Sequence, residues 1–145
     1  GYGTSILAEV ASKVYGVDRS QETIEFANKY WQKPNVVFSV LDLDTDFTLP
    51  DKVDVVVSLE TIEHLNSPIC TSLDRFRNCL NSEGILVISH PINESQRQNY
   101  HNHFEISVNY ILDLLQEREF VVIDQKIQHH PKHELRHHVV AARLR

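Results

Sequence analysis

The run Glu60-Thr61-Ile62-Glu63-His64-Leu65 sets two carboxylates and an imidazole within five residues, directly after the apolar stretch VDVVVSL. Charged groups at the mouth of a buried strand cost desolvation energy unless they are paired, metal-bound or turned into a wet cleft. If the chain turns helical after Leu59, Glu60, Glu63 and His64 fall at i, i+3 and i+4 and share one face. That face supports two kinds of chemistry. It can supply a general base, with His64 the best candidate because an imidazole ordinarily titrates near neutrality. It can also offer oxygen and imidazole ligands to a hard divalent ion. A third reading needs no chemistry: the acids favour a helix start through its dipole, and His64 is a cleft wall.

Other candidates lie where strands should end. The opening GYGTSILAEV is a glycine-rich turn entering a helix, and glycine there permits a tight turn and close approach of a ligand to backbone. Asp18 comes 15 residues after Gly3, at the end of the next expected strand. A carboxylate there can accept hydrogen bonds from both hydroxyls of a ribose, although it also suits a helix cap. Asp42 ends a further strand. A dinucleotide site would want a small third residue at position 6, and Ile6 stands there, which favours a nucleoside without a pyrophosphate.

The elements that must position these groups alternate between short apolar strands and amphipathic helices, the pattern of a parallel sheet covered by helices. Strands are expected at SKVYGVD, NVVFSVLD, VDVVVSL and GILVISH, the last started by the turn residue Gly84. Helices are expected at QETIEFANKYW, capped by Ser20, at SPICTSLDRFRNCL, with Ser67 at the cap and Pro68 in the first turn, and at SVNYILDLLQE. Val108, Ile111, Leu112 and Leu115 give that last segment its apolar stripe. FVVIDQKI and HVVAARL are joined by a short histidine-rich connection, which requires an antiparallel hairpin. The predicted fold is a Rossmann-like, doubly wound α/β sheet, mostly parallel, with an antiparallel C-terminal hairpin. In HHPKHELRHH five histidines have metal-compatible spacings, but the segment is expected to be a solvated turn between edge strands, away from the cleft.

The 145 residues, 41% of them hydrophobic, suit one domain with a real core. The net charge of −6 and the scattering of 14 Lys and Arg leave no basic footprint, so nucleic acid is not favoured as a partner. Cys70 and Cys79 sit nine apart in a helical segment, too far for a disulfide, so reduced thiols and a cytoplasmic setting are expected. No apolar run approaches the roughly 20 residues that span a bilayer, and no leader pattern is present. The chain begins at Gly1 and contains no Met, so a processed or truncated start is expected.

The order GYGT, VYGVD, NVVFSVLDLD, VDVVVSLETIEHL, LNSEGILVISHP resembles the class I S-adenosylmethionine-dependent methyltransferases over nearly the whole chain. The resemblance implies that Gly1 and Gly3 back the methionine part of S-adenosyl-L-methionine, Asp18 holds its ribose, and Asp42 with Leu43 reads the adenine. The backbone at Ser58 and Leu59 would face the sulfonium. The family opens this motif with a strand and an acid-x-glycine that do not occur here, so the chain is expected to lack the first strand of its sheet. ETIEH is also similar to the metal-binding run of the small-RNA 3′-end 2′-O-methyltransferases. There the implied ligands are Glu60, Glu63, His64 and a later histidine, for which His103 is the candidate. The matching slot in YHNHFEIS holds Asn102, flanked by His101 and His103, and this counts against a metal. The same run occurs in family members that act on small molecules, lipids or sugars without metal. The expected function is methyl transfer to an oxygen, nitrogen or carbon of such an acceptor, with Glu60, Glu63 and His64 as the catalytic group. Metal-assisted RNA methylation and a catalytically silent cofactor-binding module are the alternatives.

Overall fold

The computed structural model describes residues 1–92, 106–129 and 136–145, which form two compact units, Gly1–Phe47 and Thr48–Arg145. In the first unit α1 (Tyr2–Leu7) leads to β1 (Val14–Asp18), α2 (Gln21–Tyr30) and β2 (Val36–Val40). The two strands are parallel, with Val14 opposite Val36 and Asp18 opposite Val40, so the chain must cross between them, and α2 is that crossover. The Ser20 hydroxyl accepts the Thr23 N–H at 3.2 Å, which caps α2 as the sequence predicts, and the helix buries Ile24 and Ala27. Asn35 Nδ2 donates to the carbonyls of Ala8 and Ala11, both at 2.8 Å, and satisfies acceptors left open where α1 ends. Gly16 is required sterically: a Cβ there would stand 2.6 Å from the Phe38 ring and 2.9 Å from Thr4 Cγ2.

The second unit runs β3 (Val53–Leu59), a 3-10 turn (Ile62–His64), α3 (Ile69–Cys79), β4 (Leu80–Ile92), α4 (Val108–Glu117), β5 (Phe120–His129) and β6 (Arg136–Leu144). Its sheet has the order β3-β4-β6-β5. β3 and β4 are parallel, and β6 is antiparallel to both β4 and β5. One face carries the core. Leu86 and Ile88 of β4 and Val140 and Ala142 of β6 are buried together with Leu73 and Phe76 of α3 and Ile111 and Leu115 of α4. Each large aliphatic side chain so enclosed contributes about 1.5–3 kcal/mol. Ser107 caps α4 by accepting the Tyr110 N–H at 3.1 Å. Among the described residues no helix is long and apolar enough to cross a membrane.

Mixed α/β architecture with a parallel part and antiparallel C-terminal strands is as the sequence predicts, and four details differ. β4 begins at Leu80, immediately after α3, and not at Gly84. Ser67 does not cap α3; its hydroxyl accepts from Arg75 Nη1 at 2.9 Å. β3 is not buried on both faces, for Ser58 is enclosed while Val55, Val57 and Leu59 are exposed, the alternation of a half-covered strand. Finally, β6 is an interior strand, so the histidines at its start are not at a sheet edge.

Candidate active site

In the first unit the site residues gather at the ends of β1 and β2. Asp18 Oδ1 accepts the Ser20 N–H at 2.9 Å, which folds the turn into α2, and Oδ2 has no hydrogen bond among the described residues. Gly1, Thr4, Gly16, Asp18, Ala27 and Phe38 surround a recess of about 40 Å³, room for a few waters and too small for a nucleoside. Asp18 and Gly1 therefore share one surface. Gly3 stands apart in α1, where a Cβ would meet nothing within 4 Å. None of the glycines among the described residues has a positive φ, and the glycine-rich opening leads directly into a regular helix, with Gly1 at its N-cap and Gly3 inside it. Asp42 repeats the pattern of Asp18: Oδ1 accepts the Asp44 N–H at 2.9 Å, and its carbonyl receives the Thr45 hydroxyl at 2.9 Å. Leu43 lies in the same turn, half-buried.

In the second unit Ser58 Oγ, near the end of β3, is buried without a hydrogen-bond partner among the described residues, and Leu59 is exposed. Glu60 then adopts φ +50°, a left-handed backbone that costs a non-glycine residue on the order of 1–3 kcal/mol and persists only where its surroundings hold it. They do. The Glu60 N–H donates to Ser89 Oγ at 3.0 Å, the Ser89 hydroxyl donates to Glu60 Oε1 at 2.6 Å, and Oε2 meets His137 Nε2 at 2.9 Å. This clamp overturns the expected helical face. Glu60 turns toward β4 and β6, and only Glu63 and His64 lie in the 3-10 turn that follows. The Glu63 side chain is almost enclosed, at 3% exposure, with its carboxylate 3.8 Å from the ring of His64, whose side chain is 58% exposed.

His137 is the residue that sequence reasoning missed. It belongs to the histidine-rich segment expected to lie away from the cleft, yet the antiparallel pairing that sets His137 opposite Pro91 delivers it to Glu60. Its signal was present only as its position at the start of a strand next to β4. His101, Asn102, His103, Phe104 and Glu105 lie outside the described residues. Among the described residues no three His, Cys, Asp or Glu side chains are grouped to hold a metal ion.

Residues 1–88 match a family described as the methyltransferase domain. The chain belongs to that family. The match includes Gly1, Gly3, Asp18, Asp42, Ser58, Glu60 and His64, and stops before Ser89 and His137. A probable S-adenosylmethionine-dependent methyltransferase of Mycolicibacterium smegmatis is 32% identical over 92 residues, which are 63% of this chain. The chain spans 34% of that relative's length. Among solved structures, the 1,6-didemethyltoxoflavin-N1-methyltransferase of Burkholderia thailandensis superposes with a TM-score of 0.80 at 22% identity, over 99% of this chain and 66% of that one. The [4+2]-cyclase SpnF superposes at 0.74 and 15% identity, over 99% of this chain and 71% of that one.

This methyltransferase domain also holds a histidine pair in its core, on the sheet face opposite Glu60. His90 and His138 are both fully buried and face each other across β4 and β6, with His90 Nε2 3.1 Å from His138 Nδ1. His90 Nδ1 lies 3.2 Å from the Pro91 carbonyl and must be the donor there. Its Nε2 then accepts from His138 Nδ1–H. Gln125 Oε1 lies 3.0 Å from His138 Nε2, and with the amide turned end for end its NH2 donates to that nitrogen. Burial pushes His90 down to about 4, the Pro91 bond opposes that shift, and the nearby imidazoles of His138 and His137 reinforce it. Burial likewise lowers His138.

Proposed function

We propose that the chain is the catalytic domain of an S-adenosylmethionine-dependent methyltransferase whose acceptor is a small molecule, sugar or lipid. Family membership supports the reaction class. The name of the Mycolicibacterium relative supports the cofactor, as does the S-adenosylhomocysteine bound in the Burkholderia structure, and the 1,6-didemethyltoxoflavin bound beside it supports a small acceptor. The observation that carries the reading is Asp18, a carboxylate at the carboxyl end of a parallel strand with one oxygen committed to its own turn and the other open. The residues fit such a nucleoside. Within the first unit Gly3 leaves open space at the surface of α1, and Asp18 and Asp42 each present an uncommitted oxygen.

When bound, the cofactor supplies a methyl carbon already activated by its sulfonium. The chain has then to hold the nucleoside, orient the acceptor and remove a proton. In the proposal Gly1, Gly3, Asp18, Asp42 and Leu43 serve the first task, with Ser58 and Leu59 at the end of β3. The acid and imidazole groups that follow, Glu60, Glu63 and His64, serve the acceptor. Titration calorimetry with S-adenosylhomocysteine tests this directly. Asp18→Ala should weaken binding about ten- to a hundredfold, the roughly 1.5–3 kcal/mol of a charge-assisted hydrogen-bond pair. Equal affinity would refute the assignment. The cyclase among the solved neighbours favours one second reading, a cofactor-binding fold turned to other chemistry. Binding of S-adenosylhomocysteine without methyl transfer to any acceptor class would select it.

A further inference from the structure

We propose that His137 is the base that takes the acceptor's proton, through Nδ1, and that Glu60 and Ser89 are its positioning residues; this deepens the methyl-transfer reading and rests on it. The sheet order β3-β4-β6 places two strand spacings, about 10 Å, between the strand that ends at Leu59 and the strand that carries His137. Glu60 bridges that distance. Its left-handed backbone turns the side chain out of the path of the 3-10 turn, and Ser89, on the intervening strand, holds both its N–H and Oε1. What remains is Oε2, which is aimed at His137 Nε2.

The consequence is chemical. Glu60 Oε1 receives the Ser89 hydroxyl and Oε2 receives Nε2–H, so each carboxylate oxygen is committed to one partner. The carboxylate fixes the imidazole in the Nε2–H tautomer, leaves Nδ1 as a bare lone pair, and balances the positive charge that appears when Nδ1 is protonated. His137 has no other hydrogen bond among the described residues, and its side chain is 25% exposed, enough for an acceptor to reach. The acceptor's O–H or N–H bond breaks, its electron pair stays on the acceptor atom, and Nδ1–H forms; the imidazolium later returns the proton to water.

The decisive measurement is nitrogen-15 NMR of the histidine-labelled chain at neutral pH. The proposal requires His137 to be neutral with the proton on Nε2, a preference that Glu60→Gln and Ser89→Ala weaken and Ser89→Thr retains. A proton on Nδ1 in the wild type, or a doubly protonated ring at the pH of turnover, overturns it. In kinetics with the acceptor found by screening, His137→Gln should lower kcat by about 10²-fold. The KM for S-adenosylmethionine should stay within about twofold, and free imidazole should restore part of the rate to His137→Ala. A kcat of His137→Gln within about threefold of wild type also overturns the assignment. Calorimetry with S-adenosylhomocysteine separates the two levels: wild type that fails to bind it refutes the methyl-transfer reading, whereas normal binding with the wrong His137 tautomer refutes this inference alone.

Discussion

Asp18 and Asp42 in the first unit each use one carboxylate oxygen on a backbone N–H two residues along, at 2.9 Å, while Glu60 in the second unit is held by Ser89 on β4 and His137 on β6. Each aspartate is placed by its own turn, a local device that needs a strand end and little else. The glutamate is placed by a sheet. Its conformation is an intrinsically poor one, and it exists because strands far apart in sequence have paired in the right register. Carboxylates oriented locally tolerate changes elsewhere in the fold, whereas one oriented at long range fails with any strand that supports it.

Three perturbations bear on that contrast. The largest effect is expected in the long-range unit on acidification. His90 titrates near 4 in the folded core, below the ordinary 6.5, so between those values the unfolded chain binds a proton that the native core refuses. Stability is thus full above about pH 6.5 and is lost as the pH falls toward 4, by up to about 3 kcal/mol, and His138 acts in the same direction. Urea midpoints across that window should fall for wild type and change less for His90→Gln. Protection of β4 and β6 amides from hydrogen exchange should fall with them. A flat profile would mean that the buried pair is charged in the native state.

Next comes Gly16→Ala in the first unit. The added methyl meets the Phe38 ring at 2.6 Å, so β2 or the ring must shift, and overpacking of this kind costs about 1–3 kcal/mol. Chemical denaturation should show the loss, and Gly3→Ala, with open space around its Cβ, should show none of it. If both variants melted alike, local packing would not be what positions Asp18. The smallest effect belongs to the purely local cap: Ser20→Ala should cost about 1 kcal/mol by removing the bond to the Thr23 N–H. Affinity for S-adenosylhomocysteine should fall less than in Asp18→Ala, because the Asp18 turn keeps its own hydrogen bond to the Ser20 backbone.

What the sequence determined by itself was everything carried by neighbours in the chain. The period of its apolar residues placed β1, α2, β2, β3 and α4, Ser20 announced its helix, and the short connection before β6 demanded an antiparallel pair. Asp18 and Asp42 were legible because a carboxylate after a strand is a pattern of a few residues. Tertiary structure alone decided the fate of Glu60. Helical spacing grouped it with Glu63 and His64, but helix propensity is worth tenths of a kilocalorie per residue, and three hydrogen bonds to Ser89 and His137 outweigh it. The same holds for the histidines. His90, His137 and His138 look alike in sequence, and only strand order and pleat decide that two of them enter the core while the third meets Glu60 on the other face, because alternation along a strand assigns a side only once its neighbours are known.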